Sequence, residues 1–148
     1  MDTDGREEAR FLLWSQVHHG RPISGGLGQQ LRGHEPAGFA EWRDGLRLFQ
    51  MLRTVGAGGA VSDGLQPEDV QALVDAGFTD VVVDAAAFPA PLAAAIVGAH
   101  ACVLRSVFGE PAYEGAAGAR WAVAVPEAPV AVRCAYDASV RGRTRRVR

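Results

Sequence analysis

Three consecutive valines, Val81 to Val83, lie between two aspartates, and this run constrains the fold more than any other feature of the sequence. β-branched side chains fit the pleated surface of a strand, and an uninterrupted apolar run is typical of a strand inside a sheet. The stretch from Phe78 to Phe88 therefore predicts a buried, central strand. A sheet is expected beside the helices that surround this stretch.

Two helices are predicted before the strand. Asp4 and Glu7 resemble a capping box, and a broad apolar stripe follows them, so the first helix is expected from about Gly5 to His19. Its stripe consists of Ala9, Phe11, Leu12, Leu13, Trp14 and Val17. The second helix has apolar residues at three- and four-residue steps and ends before Gly56, with Gly45 as a weak point inside it. These residues are Phe39, Trp42, Leu46, Phe49 and Leu52.

The rest of the chain predicts two more helices and further strands. "VGAGGAVSDG" is expected to be a flexible connector, after which a short helix begins at Pro67 and stops at Gly77. A longer helix is expected from Pro91 to just before Gly109, with an apolar stripe of its own. "PAYEG" and "RWAVAV" then predict the two arms of a hairpin, and "VAVRCAY" predicts one more strand.

The predicted class is α+β. We expect a two-layer α/β sandwich with three to four helices on one face of a small, largely antiparallel sheet. A chain of 148 residues fits one domain, which we place at residues 1–140, followed by a basic disordered tail at 141–148. The net charge is −2, all basic residues are arginines, and five of them lie in this tail. No apolar run approaches the roughly 20 residues of a membrane span, and no signal peptide is recognised.

A metal site is not predicted, although three histidines lie close together in the sequence. His18, His19 and His34 with Glu35 are the candidate ligands. Adjacent histidines on a helix point about 100° apart and do not face one ion, unlike a pair four residues apart. His34 has no recognised ligand spacing. An imidazole near the end of the first helix is instead expected to interact with its last carbonyl groups.

A nucleotide cofactor is not predicted either. "SGGLGQQL" contains glycines that a phosphate loop uses for close backbone approach, but a nucleotide fingerprint lies between a strand and a helix. Here a helix precedes the loop, and the chain contains no lysine, which excludes a Walker A motif. The glycines are expected to serve the path of the backbone.

Other reactive residues are expected to be structural. None of the candidate serines, Ser15, Ser24, Ser62, Ser106 and Ser139, lies in a GxSxG elbow. Cys102 and Cys134 match no CxxC spacing, so two buried free thiols are expected, and His100 faces away from Cys102.

Asp80 and Asp84 are expected to end their strand, unless one lines a pocket as a general base. Trp14 and Trp42 are expected in the core, whereas Trp121 is left open.

Three stretches together resemble one known family. "FLLWSQVHHGRPISGGL", "GFTDVVVD" and "FGEPAYEGAAGARWAVAV" are similar, in order and approximate spacing, to the soluble region that follows the membrane helices of bacterial multi-spanning glycosyltransferases of the GT-C and protein-mannosyltransferase type. The matching positions are Gln16, His19, Gly20, Arg21, Pro22, Ile23, Gly25 and Gly26, then Val81 to Val83, then Gly109, Pro111, Tyr113 and Glu114. The resemblance covers residues 7–125. Leu27, Gln29 and Gln30 depart from it, and the membrane helices are absent.

The resemblance implies a non-catalytic accessory domain on the extracytoplasmic face of a membrane. In that family sugar transfer from a lipid-linked donor depends on the membrane part, so no complete active site is expected here. The implied partner is a membrane-embedded protein or a lipid-linked sugar. The sequence itself carries no export signal, and it leaves the localisation open.

An alternative function is a small ligand-binding protein or enzyme with its site at the glycine loop, residues 20–34. Its binding residues would be His19, Arg21, Ser24, Gln29, Gln30 and His34. A third alternative is nucleic-acid binding through the arginine tail. The tail lacks interleaved aromatic residues, and a solvated terminus is therefore favoured.

Overall fold

The structure is a computed structural model that describes residues 38–140. Its helices are α1 (Phe39–Gly45), α2 (Arg47–Gly56), α3 (Pro67–Asp75) and α4 (Ala90–Phe108). Its strands are β1 (Ala60–Leu65), β2 (Asp80–Asp84), β3 (Tyr113–Gly115), β4 (Gly118–Ala122) and β5 (Val130–Ala135). Short 3-10 helices follow β2 and β5, at Ala85–Ala87 and Ala138–Val140. The predicted α+β class is confirmed, whereas the predicted first helix and basic tail lie outside the described residues.

The described strands form two antiparallel sheets, where one had been predicted. In the first sheet β1 pairs with β5. In the second, β4 lies between β2 and β3, so the predicted hairpin of β3 and β4 is confirmed. Strand β4 ends at Ala122, and the "PEAP" segment at 126–129 separates it from β5. Its two prolines have no N–H to donate to a ladder, and beyond them β5 pairs with β1.

Strand β2 contains the three valines, but the prediction of a central position was wrong. Among the strands of residues 38–140, β2 lies at the edge of its sheet, in the order β2-β4-β3. Val83 is buried against the core, whereas Val82 points to the other face of the sheet and is 43% exposed. The valine run thus reflects strand propensity without burial on both faces.

Strand β1 lies in the segment predicted to be a flexible connector, and this is a second correction. Ala60 pairs with Ala135 at one end of β1, and Leu65 pairs with Val130 at the other. Of the six residues of β1 only Leu65 is buried, and the strand contains Ser, Asp and Gly. Such a composition has little strand propensity, so the pairing depends on β5 and not on a local signal.

The second predicted helix is interrupted. Leu46 has an extended conformation (φ −69°, ψ 125°) between α1 and α2, and its side chain is buried. Gly45 immediately precedes it, and because glycine has a low helix propensity, a break in the helix at this point has a low free-energy cost. Asp44 holds the junction, because its carboxylate accepts hydrogen bonds from Arg43 at 3.2 Å and from Arg53 at 2.6 Å.

Helix α4 occupies the centre of the described fold, and its predicted limits are confirmed. It packs against α2 and against strands of both sheets. Its buried residues are Ala95, Ile96, Ala99, Ala101, Val103, Leu104 and Val107. Gly109 ends the helix with a positive φ of 77°, which favours glycine. The predicted limits of α3, from Pro67 to a stop at Gly77, are confirmed as well.

Gly118 begins β4 with φ 136°, and a Cβ atom there would overlap the carbonyl oxygen of Val83. We expect Gly118→Ala to lower the free energy of unfolding by at least about 2 kcal/mol, because either the ladder or the backbone must shift. Gly98→Ala is the matched control, since Gly98 lies in α4 with no atom within 4 Å of the added Cβ. This control should raise stability by about 0.5–1 kcal/mol. Urea unfolding measures both effects, and equal changes would contradict the role of Gly118.

Candidate functional site

The predicted binding residues of the glycine loop lie outside the described residues. They are His19, Arg21, Ser24, Gln29, Gln30 and His34. The same holds for His18, Glu35, Ser15, Trp14 and the arginine tail. These assignments stay predictions. Between residues 38 and 140, the structure contains no group of three or more histidine, cysteine or acidic side chains placed to hold a metal ion.

The candidate site in the described region is an open cavity of about 360 Å³ between α2, α4 and the segment that follows β2. Its lining residues are Arg43, Phe49, Leu52, Arg53, Gly56, Phe88, Ile96 and His100. We call this cavity the α2–α4 groove. Its walls are aromatic and aliphatic, and two arginines lie at its edge.

The groove exists because α2 has two apolar faces. Leu48, Met51 and Val55 are buried in the core. Phe49 and Leu52 lie on the adjacent face, are half-buried, and line the groove. Sequence reasoning missed the site, although the number of apolar residues in α2 exceeds what one face of a helix needs. That excess was the available signal.

His100 is the titratable side chain inside the groove. Its Nε2 atom lies 3.0 Å from the carbonyl oxygen of Leu52, to which it donates, and its ring lies 5.6 Å from the ring of Phe88. Burial lowers the pKa of His100, and the hydrogen bond to Leu52 opposes this effect only in part. Gly56 leaves space for the ring, since a Cβ there would lie 2.8 Å from Nε2 of His100. His100 thus joins α4 to the end of α2.

The edge of the groove is charged. Hydrogen bonds from Arg53, and secondly from Arg43, lower the pKa of the exposed Asp44 carboxyl. Asp44 therefore stays ionised and paired, which does not suit a proton-transfer role. Within residues 38–140, the groove combines an apolar floor with an edge that contains two arginines and one aspartate, an arrangement that suits apolar side chains with acidic neighbours.

Asp80 and Asp84 have structural roles at the ends of β2, as expected. Asp80 accepts a hydrogen bond from Thr79 at 2.7 Å and lies 3.8 Å from Arg120 across the sheet. Asp84 accepts the backbone N–H of Ala86 at 3.0 Å, which caps the 3-10 helix. Neither aspartate lines the α2–α4 groove.

The prediction of two free thiols was wrong, because Cys102 and Cys134 form a disulfide. Their Cα atoms lie 5.9 Å apart, within the usual range for a disulfide. Helix α4 lies against β5, and this packing brings together two residues that are 32 positions apart in the sequence. Cysteine spacing alone did not contain this information.

Two of the described serines, Ser106 and Ser139, make local hydrogen bonds. The hydroxyl of Ser106 donates to the carbonyl oxygen of Cys102 at 2.9 Å, one turn earlier in α4. The hydroxyl of Ser139 donates to Asp137 at 2.6 Å. Ser62 lies exposed in β1.

The two described tryptophans pack with the core. Trp42 is half-buried and stacks on Phe78, with ring centroids 6.2 Å apart. Trp121 is fully buried, and its indole N–H donates to the carbonyl oxygen of Gly109 at 3.2 Å. Burial of Trp121 removes it as a platform for a sugar or a base.

Helix α4 differs from the sequence expectation in one further respect. Within residues 38–140 it is long and apolar enough, by length and composition alone, to cross a membrane. No apolar run of that kind had been expected. A core helix satisfies the same criterion, and seven of the 19 residues of α4 are buried.

Comparisons of the chain with protein-family models, with curated proteins and with solved structures found no significant match in any of the three.

The burial of His100 generates a prediction about pH. Because its folded-state pKa lies below the unfolded value, the folded protein binds fewer protons. The neutral form of His100 therefore contributes to the free energy of unfolding. This contribution is fully present above about pH 6.5, the ordinary histidine pKa, and is lost as the pH falls toward and through the folded-state pKa. We expect the free energy of unfolding to fall more between pH 7.5 and 5.5 in the wild type than in His100→Gln, as urea titrations at about those two pH values would measure.

His100→Gln keeps a side-chain N–H that can reach the Leu52 carbonyl, and the variant retains His18, His19 and His34. The difference between the two proteins therefore isolates His100. Equal losses in the two proteins would contradict its assignment as a buried, neutral imidazole.

Proposed function

We propose that this chain is a non-catalytic accessory domain of the extracytoplasmic type, similar to the soluble region of GT-C and protein-mannosyltransferase-like membrane proteins. It acts by contact with a membrane-embedded partner or with a lipid-linked sugar. The observation that carries the proposal is the disulfide between Cys102 and Cys134.

The disulfide supports placement outside the cytoplasm. Disulfides form and persist in oxidising compartments and are rare where glutathione and thioredoxin keep thiols reduced. Here the bond joins the central helix to β5, and the described region contains no free cysteine. A structural disulfide is consistent with a domain on the outer face of a membrane.

The arrangement of two of the resembling stretches also supports the proposal. "GFTDVVVD" supplies β2 and "FGEPAYEGAAGARWAVAV" supplies β3 and β4, which form one sheet. Glu114 accepts hydrogen bonds from Arg105 of α4 at 2.8 and 2.7 Å, and Gly109 ends that helix. These residues make contacts that stabilise the domain. Such contacts are expected if the motifs have a structural and not a catalytic role.

Thiol trapping in intact cells tests the location. Cells that produce the untagged chain are quenched in acid, and free thiols are then alkylated with a maleimide that adds mass. We expect no modification before reduction and two modified cysteines after reduction, because both sulfurs are in the bond. A Cys134→Ser variant is the control and should gain one modification without reduction. Two free thiols in the wild type would contradict the proposed compartment.

Co-flotation tests the contact. The purified chain is mixed with native membrane vesicles, or with vesicles made only from their extracted lipids. Binding to both preparations indicates a lipid-linked sugar or another lipid, and binding to native membranes alone indicates a protein partner. Binding to neither preparation would contradict the proposal.

A further inference from the structure

We propose that the α2–α4 groove is the docking site of the N-terminal segment of the same chain, the predicted amphipathic helix at residues 5–19, with Phe11 and Trp14 as its anchors. This interaction goes beyond the proposed function and does not depend on it.

The groove presents apolar surface that the described residues do not cover. Phe49, Leu52 and Phe88 are each half-buried, pack against the core on one side, and face the cavity on the other. Burial of apolar surface contributes about 25 cal/mol per Å², so an occupant with apolar side chains is favoured there. The groove volume of about 360 Å³ suits a few inserted side chains.

The N-terminal segment has the matching pattern. Glu7, Phe11 and Trp14 recur at i, i+4 and i+7, which places them on one face of a helix. Helices that bind in apolar grooves use anchors with this spacing. In the proposed complex, Phe11 and Trp14 would contact the apolar side chains of α2 and α4 that line the groove.

Chain length and connection permit the contact within one molecule. The described region begins at Gly38, and Arg43 of the adjoining α1 lines the groove. Residues 20–37 connect the segment to this point, and a stretch of that length spans at most about 60 Å when extended. The segment is therefore held at a high effective concentration beside the groove.

Charge complementarity favours this occupant. The first eight residues contain four acids, Asp2, Asp4, Glu7 and Glu8, against one arginine. The groove edge contains Arg43 and Arg53, with Asp44 as the acid between them. In the helical pattern Glu7 lies one turn before Phe11 on the anchor face, and in the proposed complex it would pair with this arginine-containing edge.

Limited trypsin digestion of the full chain tests the proposal, with cleavage after Arg6 and Arg10 as the readout. Phe49→Asp places a charge on the groove wall and should release the segment, which raises the rate of these two cleavages at least about tenfold. Val74→Asp is the matched control, because Val74 is exposed on α3 away from the groove and should leave the rate unchanged. Equal cleavage rates in wild type and Phe49→Asp would overturn the proposal.

Global unfolding of Phe49→Asp would be recognised by simultaneous cleavage after Arg105 in helix α4 and after Arg120 in strand β4. In that case the double variant Phe11→Ser/Trp14→Ser tests the docking, because it removes both anchors and leaves the residues of the groove unchanged. Carbene footprinting should show severalfold higher labelling of Phe49, Leu52 and Phe88 in this variant than in the wild type, with Tyr113 unchanged. Unchanged groove labelling would overturn the proposal.

The same experiments distinguish two other possible occupants of the groove. Protection of the groove that decreases on dilution, together with a dimer in sedimentation, would indicate a second copy of the chain. Protection lost after organic extraction of the purified protein would indicate a bound apolar molecule. Either result would overturn docking of the N-terminal segment.

Discussion

Burial of helix α4 between α2 and the two sheets is the interaction on which the rest of the described structure depends. Sheets of two and three short strands are marginal on their own and need packing against another element. Val103 and Leu104 of α4 are completely buried, as are Trp121 of one sheet and Val132 of the other. Each such side chain contributes about 1.5–3 kcal/mol when it is fully buried. One helix thus supplies the second layer for both sheets.

Three specific contacts fix α4 within this core. The Cys102–Cys134 disulfide joins it to β5, and closure of a loop of about 30 residues stabilises a fold by roughly 3–4 kcal/mol in the chain-entropy description. Arg105 joins it to Glu114 of β3, and the indole N–H of Trp121 binds the carbonyl oxygen of Gly109 at its end. The first contact orients one sheet and the other two orient the second sheet. The helix is therefore held at three points along its C-terminal half.

Much of the fold was predictable wherever the signal is local. The limits of α3 and α4 follow from Pro67 and from the positive-φ glycines Gly77 and Gly109. The hairpin of β3 and β4 was also predictable from its alternating residues and its short turn. The sequence did not reveal features that depend on a distant partner. Strand β1 needs β5, and the disulfide needs α4 to lie on β5.

The candidate site was hardly predictable, for the same reason. The groove joins Phe49 and Leu52 of α2 to His100, which lies 48 positions from Leu52. The one local sequence signal of the groove is the excess of apolar residues in α2. The site motifs considered in the sequence instead involve glycines and histidines outside the described region. The apolar lining of the groove suits the packing of apolar side chains, which agrees with the proposed docking of the N-terminal segment.

Native-state hydrogen exchange on the oxidised chain is the most direct measurement of the dependence of both sheets on α4. The slowest amides of β4, of β5 and of α4 between residues 95 and 107 should exchange with one common opening free energy, equal to that of global unfolding. Exchange of β1 and β5 through a separate, lower-energy opening that leaves β2, β4 and α4 protected would contradict the shared core.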